Sequence, residues 1–106
     1  MSSSIDAARR REAVVRDHLR TMAGYITGAR LSHALGEAGK ALDALGSGRA
    51  LYTFEQQGLD SLLSLLAVVH EMTNRQPRFA ALEDAAAAYL KRAVALRHFT
   101  ITGRAP

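Results

Sequence analysis

The sequence predicts an all-α protein, a small bundle of about four helices, and three observations predict it. Apolar residues recur at three- and four-residue intervals along most of the chain, the period of one helical face. Leu, Ala, Val and Met must do the packing, because aromatics are only 6% and Trp is absent. Of these, alanine and leucine are strong helix formers. Breaks fall at Gly28, at Gly46-Ser47-Gly48 and at Pro77, cutting the 106 residues into four segments of helical length. No linker, repeat or low-complexity tract separates the segments, so residues 1–106 are expected to form a single helical domain.

The first helix is expected over Ile5–Ile26, about 33 Å long at 1.5 Å per residue. Ser4 suits its N-cap, and Asp6 places a carboxylate where the helix dipole favours one. Ile5, Ala8, Glu12, Val15, Leu19, Met22 and Ile26 form a coiled-coil-like seam with one charged interruption. Gly28 is the expected stop. The second helix, about Arg30–Leu45, carries Leu31, Leu35, Ala38, Leu42 and Leu45 in one stripe. Gly36 and Gly39 within it cost helix propensity and are expected to mark close approach of another backbone.

Thr53-Phe54-Glu55-Gln56 reads as a capping box, with Thr53 at the N-cap and Gln56 reaching back. It opens a third helix running to about Asn74, whose segment Leu59–Met72 is apolar on nearly every side. Leu59, Leu62, Leu63, Leu66 and Val69 form one stripe. Leu65, Val68 and Met72 form a second, roughly 120° further round at about 100° per residue. A chain this short has little protein to cover both, so Leu65, Val68 and Met72 are the expected partner-binding residues. The fourth helix is expected over about Arg78–Arg97, with Phe79, Leu82, Ala86, Tyr89, Leu90 and Ala93 as its stripe. Ala85–Ala88 has little bulk, so a neighbouring helix can come close there. Phe99-Thr100-Ile101-Thr102 alternates like a short strand and is expected as a frayed end or a pairing edge.

The formal net charge is +4, unevenly spread: residues 1–30 carry +3, residues 31–74 carry −3 and residues 75–106 carry +4. An acidic middle between basic ends predicts charge pairing inside a bundle. The arginines of the first helix could instead follow a phosphate backbone. Acidic residues are interspersed among them, and the sequence offers neither an aromatic platform nor helix-turn-helix spacing. Direct nucleic-acid binding is therefore not expected. There are no cysteines, which excludes disulfides and thiolate metal sites. The N-terminus is charged where a secretory leader would be apolar, and no apolar run approaches the ~20 residues that span a bilayer. A cytoplasmic protein without membrane contact is expected.

No catalytic, cofactor-binding or metal residue is expected. His70-Glu71 begins like the zinc-protease helix motif, but Asn74 stands where the second histidine belongs. Histidine phosphotransfer domains are helical bundles of similar length, and Ser32-His33-Ala34-Leu35-Gly36-Glu37 resembles their His-x-Leu-Lys-Gly core at His33 and Leu35. It departs where a lysine would neutralise the phosphoryl group, at Gly36, and where a glycine would leave it room, at Glu37.

The segment Leu51–Leu59 through His70–Asn74 resembles small helical proteins of high-GC proteobacteria grouped under an uncharacterised domain. In length, helical layout and texture the whole chain is similar to the small helical quorum-sensing anti-activators of pseudomonads. That resemblance implies a protein that binds a LuxR-type transcription activator and keeps it from dimerising on DNA, with no catalytic residue and no cofactor. The residues themselves predict protein–protein association, including a homodimer. The alternatives are a homodimeric structural helical protein and a histidine phosphotransfer-like domain.

Overall fold

In the computed structural model, which describes residues 4–46 and 50–102 (side chains only to residue 98), the described residues are helical apart from short connections. The helices are α1 (Ser4–Thr27), α2 (Leu31–Leu45), α3 (Thr53–Thr73) and α4 (Ala80–Thr102), with one 3₁₀ turn, Pro77–Phe79, leading into α4. The all-α bundle is as expected. Ser4 is already helical rather than a cap. The tail also differs, because α4 continues through 99–102 instead of breaking into a strand. Adding a residue to an existing helix fixes one conformation for one hydrogen bond, whereas a four-residue strand needs a partner edge.

α1 ends in a Schellman arrangement. Arg30 N–H donates to the Tyr25 carbonyl (2.8 Å) and Ala29 N–H to the Ile26 carbonyl (3.0 Å). Gly28 lies at the stop, but the left-handed residue is Ala29, with φ 57°. The α3–α4 connection does the same with Arg75, φ 57°, after Asn74 at φ −60°, ψ 130°. Gln76 N–H closes the turn on the Thr73 carbonyl at 3.2 Å, and Arg75 N–H donates to Glu83 Oε2 at 2.9 Å. This is type II geometry with arginine where glycine is preferred.

α3 starts one residue earlier than the sequence pattern suggests. Tyr52 is the N-cap, and its N–H donates to the carboxylate of Glu55, not of a residue at 56. Gln56 makes no capping-box bond and instead donates to the Leu51 carbonyl at 3.2 Å. Glu55 is consequently drawn inside, where its fully buried carboxylate lies 3.4 Å from Arg11 Nε.

α1 packs on α2 and α3 on α4 as antiparallel hairpins. α1 also lies along α3, and α2 along α4. Arg11 meets Glu55 and Val15 meets Gly58, so α1 and α3 run parallel. Tyr89 meets Gly39 and Arg92 meets Asp43, so α2 and α4 do too. α2 and α3 touch across the bundle while α1 and α4 barely meet, which makes the cross-section a rhombus. Its Cα extents, 49 × 28 × 16 Å, fit this: the thin dimension is one interhelical distance of ~8–10 Å plus the width of a Cα cylinder.

The core follows the middle of the expected stripes, but Ile5 at the head of the first is 40% exposed, and Leu96, outside the stripe expected for the fourth helix, is buried. Val15, Leu19 and Met22 of α1 meet Leu35, Ala38 and Leu42 of α2, with Leu59, Leu62, Leu66 and Val69 of α3 and Ala86, Ala93 and Leu96 of α4. Each buried leucine contributes ~1.5–3 kcal/mol relative to exposure. The two helix glycines do not mark backbone contacts. Gly36 faces open space, and Gly39 faces the ring of Tyr89.

Candidate interaction surface

Two rows of α3 meet different surroundings. Leu59, Leu62, Leu66 and Val69 are fully buried, and Leu63 is half-buried against them. On the second row, Val68 is 44% exposed and Met72 38% exposed, and neither belongs to the core. Leu65 is half-buried and packs against the core from its edge. The predicted set is thus brought together on one flank, with Leu65 as its floor and Val68 and Met72 as its outward part.

That flank has a definite neighbour. Ser61, Leu65, Val68 and Met72 are spaced by four, three and four, and so lie in one row along α3. Ser61 lines a shallow groove between α1 and α3, with Glu12, Arg16 and Leu19 on one wall and Gln57 and Gly58 on the other. The row carries this groove onward towards the C-terminal end of α3.

The charged residues are largely spent within the bundle. Three ion pairs join the basic ends to the acidic middle, Arg11–Glu55 at 3.4 Å, Arg92–Asp43 at 3.2 Å and Arg97–Asp60 at 3.1 Å, and His18 Nδ1 lies within hydrogen-bond distance of Glu37 Oε2, at 2.6 Å. Along α1, Arg16 pairs with Glu12 and Arg20 with Asp17. Charge pairing inside the bundle is thus as the uneven distribution predicts. The fold does bring together one aromatic stack, Tyr52 on Phe54 with ring centroids 5.6 Å apart, which the sequence does not announce as a platform. The guanidinium of Arg9 stands 5.0 Å over the Phe54 ring.

The histidines are placed separately. His33 is exposed, with the Tyr25 ring 5.2 Å away. Glu37, one turn further along α2, is held by His18 and by Lys40, whose Nζ is 3.6 Å from Oε1. Among the described residues no three His, Asp or Glu side chains gather as metal ligands would. No described helix is long and apolar enough to cross a membrane. Every buried polar side-chain atom among the described residues has a partner.

Sequence reasoning missed the burial of Glu55, because the pair with Arg11 joins residues 44 apart. The available signal was Glu55 three residues after a possible cap at Tyr52, which competes with the stronger-looking cap Thr53. No protein-family model matches the chain, and neither does any curated protein or solved structure.

Proposed function

We propose that this chain is a non-enzymatic negative regulator that works by protein–protein association, with Leu65, Val68 and Met72 as its binding face. One observation carries the reading. Val68 and Met72 stand exposed on a helix whose main apolar stripe, Leu59, Leu62, Leu66 and Val69, is completely buried, in line with a groove between α1 and α3. Aligned apolar side chains left outside a complete core fit an amphipathic partner helix laid along them. The class of target follows from the resemblance to quorum-sensing anti-activators: a LuxR-type transcription activator, held back from dimerising or from binding DNA. No cofactor enters this activity.

The test is a gel-shift titration. A LuxR-type activator is bound to its operator and the purified chain is added. Release of the DNA, with a chain–activator complex recovered by size exclusion, supports the reading. An activator that stays on its operator at saturating chain, with no complex formed, contradicts it.

A further inference from the structure

The fourth helix has a second apolar side that the bundle does not use. Ala86, Ala93 and Leu96 are buried, yet on the far side Ala80, Ala81, Ala87 and Ala88 are exposed. Val94, at 56%, is the most exposed of the large hydrophobic residues described. The outward residues keep a strict seven-residue repeat. Ala81, Ala88 and the half-buried Ala95 form one line, and Ala80, Ala87 and Val94 the line beside it. A seven-residue apolar repeat is what a helix presents along a seam with another helix. α4 sits at an outer corner of the rhombus and packs mainly on α3 and α2, so among the described residues no other helix packs over this seam.

The charges on α4 say what would cover it. Glu83 accepts from Arg75 N–H, Arg92 pairs with Asp43 and Arg97 pairs with Asp60. Asp84 and Lys91 are the exceptions: both are exposed, and neither side chain has a partner among the described residues. They stand between the alanines, seven residues apart, a rise of ~10 Å that is too long for them to reach each other. Their midpoint falls between Ala87 and Ala88. If a second copy of α4 lies antiparallel about a two-fold axis at that point, Asp84 of each copy meets Lys91 of the other. The same operation sets Ala81 opposite Val94 and Ala80 opposite Ala95, and brings Ala87 against Ala88. An isologous interface requires self-complementarity of this kind.

We propose that the outer face of α4, residues 80–98, is a self-association seam on which a second copy of this chain docks antiparallel, its two-fold axis at Ala87–Ala88. The seam is separate from the α3 row, so a dimer formed this way leaves Val68 and Met72 open. One helix per copy buries little area, which sets the association in the weak, concentration-dependent class.

Sedimentation equilibrium, from low micromolar to sub-millimolar chain, tests it. The wild type dimerises across this range. Asp84→Lys and Lys91→Asp each weaken the dimer by roughly tenfold, since two exposed pairs turn from attraction to repulsion. An equimolar mixture of the two variants recovers wild-type association, because every cross-pair in the heterodimer is again opposite in charge. The Asp84→Lys/Lys91→Asp double variant recovers it too, and Val68→Asp leaves it unchanged. Circular dichroism confirms that each variant is folded. A wild type that stays monomeric throughout overturns the proposal. So does a dimer indifferent to the charge reversals, a mixture that associates no better than its components, or a dimer that Val68→Asp dissociates.

Discussion

Tyr89 of α4 rests its ring on the bare backbone of Gly39 in α2, so closely that a β-carbon at Gly39 would lie 2.9 Å from the tyrosine hydroxyl. Gly36, three residues earlier on the same helix, has nothing within 4 Å of the equivalent point. The two glycines therefore separate backbone propensity from packing. Gly36→Ala is expected to stabilise the fold by ~0.5–1 kcal/mol, the helix preference of alanine over glycine. Gly39→Ala gains the same preference but must push aside the end of the Tyr89 side chain, so it should stabilise less than Gly36→Ala. Urea denaturation of both variants checks this. Tyr89→Phe, which removes the nearest atom, should narrow the difference between the two glycine variants in a double-mutant cycle.

The α1–α2 turn stores strain in a residue with a side chain. Ala29 holds φ 57° where glycine is the usual choice. Ala29→Gly should raise the melting temperature, corresponding to a gain of ~0.5–1 kcal/mol, with the helix content unchanged.

Glu55 joins helix capping to tertiary structure. Its buried carboxylate accepts from Tyr52 N–H at 3.3 Å and lies 3.4 Å from Arg11 Nε. Glu55→Ala leaves the part-buried Tyr52 N–H and Arg11 Nε without this acceptor and should destabilise by about 2 kcal/mol. Glu55→Gln keeps an acceptor for Tyr52 and should lose less. Equal losses for the two, measured by thermal melting, would mean that the side-chain volume matters and the hydrogen bonds do not.

Because Arg11, Arg16 and Arg20 are each paired with a carboxylate, α1 is poorly prepared to grip a phosphate backbone. Binding to DNA alone should be weak near physiological salt. A tight complex whose affinity falls by roughly 0.9 log units per log unit of salt for each phosphate contacted would contradict this.

The parts of the fold that depend on local period were legible in the sequence. Leu59, Leu62, Leu66 and Val69 declare a buried stripe because their spacing is helical, and all four are inside. The outward stripe at Val68 and Met72 was legible for the same reason. What lay between the stripes was less so: Leu65 packs at the core's edge, because the width of a buried face is set by how the neighbouring helices lie. The pairing of Arg11 with Glu55 and the stop at Ala29 rather than Gly28 are non-local or conformational, and no spacing rule encodes them. The outer seam of α4 escaped notice because alanine is nearly as common on its buried side, so the helix shows little contrast between faces.

The most direct test of the central claim is to separate binding from folding on α3. Leu62→Asp places a charge at a fully buried position and should unfold the bundle. Leu65→Asp should lose both stability and binding, since Leu65 touches the core as well as the outer row. The decisive protein is the double variant Val68→Asp/Met72→Asp, examined by thermal melting and by gel-shift titration against a LuxR-type activator on its operator. Wild-type melting together with failure to release the activator from DNA is the result predicted. A variant that still releases the activator as the wild type does would show that the Leu65–Val68–Met72 face is not where the partner binds.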